Sequence, residues 1–192
     1  MKLILASRSP RRRGLLRNAG FEFAVRASRI EEVPQAGETP ARFARRLARE
    51  KAHDVARKSA PGTLVLGADT VVTLGGEILG KPTGRSDAER MLRALSGRTH
   101  RVMTGVCLIE APGRELAWTH ETTRVTFRTL DEQEIREYAR SKEPYDKAGA
   151  YAIQGRASCF VTRIEGCYSN VVGLPLARVY EILKPYLAPS PG

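Results

Sequence analysis

The chain has 192 residues, 42% of them hydrophobic, and its 32 Lys and Arg against 21 Asp and Glu leave a formal charge of +11. This length and apolar content suit one globular domain over residues 1–192, with two lobes rather than two independent domains. No apolar run approaches the ~20 residues of a membrane-spanning helix, and Leu3–Ala6 is too short for a signal sequence, so a soluble, cytoplasmic protein is expected.

Lys2–Ala6 reads as an opening strand, and Pro10 to Gly20 as a short helix ending on its glycine. The turn between them, Ser7-Arg-Ser-Pro10, leads into a helix N-terminus, whose unpaired N–H groups and dipole favour an anion. Arg11, Arg12 and Arg13 sit at that positive end, which is unfavourable by some tenths of a kcal/mol each unless an anion offsets it. The alternatives are a phosphate site and a solvated basic turn. Phe21–Ala27 alternates like a second strand, and Ser28–Thr39 is a polar loop whose Glu31 and Glu32 are either solvated or a source of a Mg²⁺ ligand.

Thr39 as N-cap and Pro40 at the first position open a long helix that the pattern carries to about Ser59. Phe43, Leu47, Ala48, Ala52 and Val55 form its apolar face, and Lys51 falls within that row, where it either snorkels or delivers its ammonium into a cleft. Arg42, Arg45, Arg46 and Arg49 make a second, basic stripe that reads as solvated surface.

Thr63–Leu74 is a β-branched apolar run between Pro61-Gly62 and Gly75-Gly76, a strand buried on both faces, yet it contains Asp69. An unpaired buried carboxylate costs several kcal/mol, so Asp69 must meet a cation, a metal or a substrate, or else cap a turn or pair with a structural arginine. Gly67 permits close approach, and Thr70 adds a hydroxyl. Gly75-Gly76 turns the chain into Glu77–Pro82, a return strand that points Lys81 toward Asp69.

Ser86-Asp-Ala-Glu89 has the form of a capping box for a helix that ends at Gly97. Residues 98–110 and 115–128 read as a long hairpin, and Leu130–Ile135 as a staple and capping box for a helix to about Ser141. Glu143–Gly155 is expected to be a loop followed by a short strand, Ser158–Ile164 a further strand, and Gly173-Leu-Pro175 the start of a last helix to about Tyr186, with a Pro-containing tail over Pro189–Gly192.

Cys107, Cys159 and Cys167 show no C-x-x-C or zinc spacing, and His53, His100 and His120 are scattered, so neither disulfides nor a histidine metal site is expected. Residues 1–60 hold 15 Lys and Arg against 6 Asp and Glu, a surplus that implies nucleic acid, a phosphate-rich small molecule, or only a solubilising surface. No Walker A, G-x-G-x-x-G, G-x-S-x-G or H-E-x-x-H pattern is present. What remains is a basic helix start, an isolated strand acid, a loop acid pair and two lysines. Cations that neutralise a polyphosphate and carboxylates that hold Mg²⁺ and orient water are the requirements of phosphoryl chemistry.

The stretches Leu5–Arg12, Arg46–Ala52, Leu66–Val71, Gly80–Pro82, Leu95–His100, Asp146–Tyr151 with Gln154-Gly155, and Val172–Leu176 stand in a highly specific joint order and spacing. On these residues, over nearly its full length, the chain resembles the Maf family of nucleoside triphosphate pyrophosphatases. The resemblance implies a two-lobed α/β fold, with a strongly twisted mixed sheet flanked by helices as in inosine triphosphate pyrophosphatases, and a nucleotide in the central cleft. It implies cleavage between the α and β phosphates with a divalent cation, Mg²⁺ or Mn²⁺. Asp69 is then the base that activates water, Glu32 and Asp69 the metal-associated acids, and Ser7, Arg12, Lys51 and Lys81 the phosphate contacts. Arg11, Thr70 and Gln154 match the branch that acts on dTTP and UTP. A homodimer is compatible with the resemblance, and neither a membrane nor a nucleic-acid partner is expected. The reading from another class is a regulator of septum formation, or a nucleic-acid binder, acting through the basic N-terminal third.

Overall fold

The computed structural model describes residues 2–187, so the tail Pro189–Gly192 lies outside the described residues. The strands are β1 (Leu3–Leu5), β2 (Ala24–Val25), β3 (Leu64–Leu74), β4 (Glu77–Leu79), β5 (Thr99–Glu110), β6 (Arg114–Phe127) and β7 (Val161–Glu165). The α-helices are α1 (Pro10–Asn18), α2 (Pro40–Ala56), α3 (Arg85–Leu95), α4 (Glu132–Arg140), α5 (Tyr168–Val172) and α6 (Leu176–Leu183). The strands form one mixed sheet in the order β2-β1-β3-β5-β6-β7, with β4 also on β3.

The central strand β3 is asymmetric. On one side it pairs antiparallel with β5 from Leu64 to Thr73 without interruption. On the other it pairs parallel with β1 at Leu64–Leu66 and antiparallel with β4 at Val72–Leu74. Between those two short strands, residues 67–71 carry no strand on that side among the described residues, and this opens a slot in the sheet beside Asp69 and Thr70.

Helix α2 forms as its sequence dictates: the Thr39 hydroxyl accepts from Arg42 N, Pro40 stands in the first turn, and Phe43, Leu47, Ala48, Ala52 and Val55 are buried. It lies flush on β3 and β5 at two glycines. A Cβ at Gly67 would stand 2.2 Å from the Ala48 carbonyl oxygen, and one at Gly105 would stand 2.2 Å from that of Ala44. The close approach foreseen at Gly67 is therefore made by a helix backbone. On the opposite face Leu16 of α1, Leu174, and Val179 and Leu183 of α6 pack with Leu3, Leu5, Leu64, Leu66 and Ala68. A second core gathers Leu92 and Leu95 of α3, Ile135 and Tyr138 of α4, and Phe127, Tyr151 and Phe160 around Val72.

Several expectations need correction. The second strand shrinks to Ala24–Val25, because β1 offers only Ile4 and Leu5 as partners. Ser86 does not cap α3: the helix begins at Arg85 after Gly84, and Asp87, inside the first turn, accepts from Thr83 N at 3.0 Å. The capping box of α4, by contrast, is present in both halves at Asp131 and Glu134. No strand forms in 143–155. A 3-10 turn over Ala148–Ala150 interrupts it, with positive φ at Gly149 (72°) and Ala150 (60°), and a Cβ at Gly149 would stand 2.9 Å from Val72 Cγ1. Another 3-10 turn, Arg156–Phe160, delays β7 to Val161, and the short helix α5 precedes α6.

Candidate active site

The slot beside β3 widens into a cavity of about 610 Å³, within the range of small-molecule sites. Its walls come from the β1–α1 turn (Ser7, Arg8, Ser9, Arg11, Arg12), the loop before α2 (Arg29, Glu32), Lys51 of α2, Asp69 and Thr70 of β3, Lys81 after β4, and the 145–154 segment. All nine residues singled out in the sequence, Ser7, Arg11, Arg12, Glu32, Lys51, Asp69, Thr70, Lys81 and Gln154, line this one cavity.

At its floor the Lys51 ammonium donates to Asp69 Oδ1 at 2.5 Å and to Glu32 Oε1 at 2.6 Å. Asp69 is 5% exposed and Lys51 7%. The lysine of the apolar row thus enters the cleft instead of snorkelling. Lys81 reaches Glu32 Oε2 at 3.0 Å, so its carboxylate partner is Glu32 and not Asp69, because the return strand stops at Leu79 and the glycine and lysine that follow lead the chain along the rim. Burial raises the Asp69 carboxyl above the ordinary aspartate range, with the charges of Lys51 and Arg12 working against that rise. For Glu32 the balance is reversed: burial raises it, but the hydrogen bonds and charges of Lys51 and Lys81 outweigh this and hold it at about 2. Two carboxylates with opposed proton affinities therefore share one ammonium.

Helix α1 starts as the sequence indicates, with Ser9 as N-cap and Pro10 in the first turn. Arg12 bends back from it: Nε donates to the Gly173 carbonyl at 2.7 Å, Nη2 to Thr70 Oγ1 at 2.8 Å and Nη1 to Ser7 Oγ at 3.3 Å. Burial lowers its pKa, while Asp69 and Glu32 act in the other direction. Arg11 sits at the rim and pairs with Asp146 at 3.1 Å, and Gln154 is exposed on the same segment.

The loop that carries Glu32 is fastened by Arg46, which clamps Glu38 with two hydrogen bonds of 2.7 Å and donates to the Val33 carbonyl at 3.0 Å. The basic stripe of α2 is therefore not simply solvated. Arg45 and Arg49 stack over Trp118 at 4.1 and 5.1 Å from its ring centre, and Arg49 also pairs with Glu115. Neighbouring strand β6 supplies that aromatic ring, which the helix sequence alone does not reveal.

Sequence reasoning missed Arg8, Arg29, Lys147 and Tyr151 in the wall. Arg8, Lys147 and Tyr151 carried a signal, since each lies in a motif already singled out. With them the wall holds seven cationic side chains against three acidic ones, which suits a polyanion. Among the described residues no group of three or more His, Cys, Asp or Glu converges as a metal site. Asp69 and Glu32 do converge, and two hard carboxylates fit a Mg²⁺ or Mn²⁺ ion that takes its remaining ligands from phosphate oxygens and water. Among the described residues no helix is long and apolar enough to cross a membrane.

Over its whole length the chain can be laid on the Ham1 protein of Staphylococcus aureus, with a TM-score of 0.55 at 12% identity, covering 97% of this chain and 100% of that one, a likeness of fold. In sequence it is 53% identical over 184 residues to a dTTP/UTP pyrophosphatase of Koribacter versatilis, covering 96% of this chain and 94% of that protein. It is 50% identical over 185 residues to a dTTP/UTP pyrophosphatase of Pelotomaculum thermopropionicum, covering 96% of each. The family profile described as Maf-like protein matches residues 2–186, and the chain, with its expected mixed α/β sheet, belongs to the Maf family.

Proposed function

We infer that this protein is a nucleoside triphosphate pyrophosphatase that cleaves between the α and β phosphates, with dTTP and UTP preferred. The observation that carries the reading is the pair of carboxylates gathered on Lys51 at the floor of a cavity with a cationic wall. Asp69 takes a proton from a water as that water attacks the α-phosphorus; the bond to the bridging oxygen breaks, and pyrophosphate leaves. Its raised pKa suits a base, because proton affinity well below the working pH wastes driving force. Arg12, Lys51, Lys81 and Ser7 bind the phosphate chain, with the ammonium groups turning from Glu32 toward the substrate oxygens.

Asp69 and Glu32 would hold the divalent cation, which when bound supplies charge neutralisation on the phosphate oxygens. Arg11, Thr70 and Gln154 set the base preference, with Arg11 and Gln154 at the rim of the cavity. A uracil or thymine edge presents two carbonyl acceptors around one N–H donor, which an amide and a guanidinium can match. Cytosine replaces one acceptor by a donor and leaves a group unpaired, at a cost of about 1–3 kcal/mol. The names of the two bacterial relatives point the same way.

The test is pyrophosphate release over a panel of nucleoside triphosphates with Mg²⁺ or Mn²⁺. UTP and dTTP turnover well above CTP and GTP supports the reading, and no pyrophosphate from any of them overturns it.

A further inference from the structure

On the face of β3 opposite α2, a row of buried polar groups leads away from the cavity. Thr70 and Thr104 are cross-strand partners on β3 and β5, with hydroxyl oxygens 2.9 Å apart. Thr104 Oγ1 lies 3.3 Å from the carbonyl oxygen of Asn170 in α5. Thr104 and Asn170 are both 0% exposed, and neither lines the cavity. Asn170 is itself anchored, its Nδ2 donating to the Val102 carbonyl at 3.0 Å and to Thr123 Oγ1 at 2.9 Å.

A guanidinium only donates and a carbonyl only accepts, so Arg12 donates to Thr70. The two hydroxyls then have two arrangements: Thr70 donates to Thr104 and Thr104 to the Asn170 carbonyl, or Thr104 donates to Thr70 and Thr70 to the Gly173 carbonyl at 3.3 Å, whose other lone pair receives Arg12 Nε at 2.7 Å. In both, Thr70 and Thr104 stay bonded to each other. Aligned bonds in a buried setting strengthen one another. Thr70 has one hydroxyl proton, and it is committed inside the protein. Arg12 uses Nε and one N–H on each terminal nitrogen, which leaves one N–H on each terminal nitrogen for a ligand.

We propose that Thr104 and Asn170 are positioning residues: by fixing the Thr70 hydroxyl they set the plane of the Arg12 guanidinium. This rests on the reading of Arg12 as a phosphate contact.

Four variants, Thr104→Val, Thr104→Ser, Arg12→Met and Thr104→Val/Arg12→Met, test it through steady-state kinetics on UTP, dTTP, CTP and GTP, with thermal midpoints measured alongside. Valine is nearly isosteric with threonine, and serine keeps the hydroxyl. The expected result is that Thr104→Val raises KM about tenfold for UTP and dTTP, Thr104→Ser restores it, and the double variant is no worse than Arg12→Met. An unchanged KM in Thr104→Val beside an impaired Arg12→Met overturns the proposal, as do failed rescue by serine or additive losses in the double variant. If Arg12→Met itself leaves KM unaltered, the phosphate role of Arg12 falls, and the proposal falls with it for that separate reason.

Discussion

Lys51 and Asp69 meet at 2.5 Å where each side chain is less than a tenth exposed, and α2 can bring them together only because Gly67 and Gly105 let its backbone touch the sheet. Removing one member of a buried pair typically costs about 3–5 kcal/mol, since the other charge is left uncompensated. Lys51→Met should therefore lower the thermal midpoint sharply, as Asp69 and Glu32 lose the cation between them. Added Mg²⁺ should recover part of the loss in this variant. Differential scanning fluorimetry with and without Mg²⁺ checks it, and a midpoint equal to the parent's in both conditions would contradict the account.

Lys81 is half-exposed and among the described residues pairs only with Glu32, so Lys81→Met should cost little stability, in keeping with ~0–1 kcal/mol for surface pairs. Its effect should instead be kinetic and uniform, weakening every nucleotide by the same factor as a phosphate contact does. A shift in base preference would place Lys81 elsewhere.

Asp69→Asn keeps the shape of the side chain but cannot take a proton from water. Hydrolysis should fall ~10²–10⁴-fold, the usual contribution of a general base, with the far-ultraviolet circular dichroism unchanged. Activity within about threefold of the parent, less than general bases supply, would remove Asp69 from that role.

Two buried groups give separate pH dependences. Asp69 must be ionised to act, and burial raises its pKa, so the acid limb of kcat/KM should lie above the ordinary aspartate value of ~3.9 while Glu32, at about 2, stays ionised across it. His100 is 1% exposed, hydrogen-bonded to the Tyr151 hydroxyl at 2.8 Å, and lowered by burial from 6.5 to about 4. A depressed folded-state pKa means stability present above pH 6.5 and lost as pH falls toward about 4. The shift corresponds to on the order of 3 kcal/mol at 1.36 kcal/mol per unit. Urea unfolding between those limits should show this slope in the parent and a shallower one in His100→Gln.

For the basic stripe of α2 we expect no tight nucleic-acid binding at physiological salt. Arg46 is neutralised by Glu38 and Glu50, Arg49 by Glu115, and Trp118 is 40% exposed with guanidinium groups already stacked on it. A single ring so covered is a poor platform for successive bases. Fluorescence anisotropy with a single-stranded oligonucleotide decides it: binding that is lost when Arg42, Arg45, Arg46 and Arg49 become Gln would show the stripe to be an interface.

Base preference should answer to Gln154. Replacing its amide by a carboxylate removes the N–H donors and adds charge, so Gln154→Glu should reduce UTP and dTTP relative to the other nucleotides. Comparable kcat/KM for UTP and 7-methyl-GTP in the parent would defeat this reading of Arg11, Thr70 and Gln154.

The parts of the site that sequence made legible are those where a residue breaks the pattern of its own element. Asp69 interrupts an apolar strand and Lys51 an apolar helix row, and each anomaly is resolved by the other. Thr39-Pro40 and Asp131 with Glu134 were readable because capping chemistry is local. What was not legible depends on neighbours far along the chain. The stack of Arg45 and Arg49 on Trp118 joins α2 to β6, and the row from Arg12 to Asn170 joins four elements, α1, β3, β5 and α5. Residues 151–153 look like a strand because they are apolar, yet Gly149 and Ala150 turn the backbone to positive φ, and Tyr151 and Ile153 are buried in the core that also holds Val72.

Because β3 is laced to β5 along its whole length on one side and open only at 67–71 on the other, the protein separates two kinds of heritable change. A substitution in β3, β5 or the flush face of α2 disturbs the framework and the chemistry together. On the proposed function, one at the exposed Gln154 of the rim should disturb neither and alter only which nucleotide is admitted. On that reading a lineage built on this plan can drift from one nucleotide to another through its rim while the floor stays constant, and exchange of the exposed Gln154 between relatives of different preference is where that drift should first be reproduced in the laboratory.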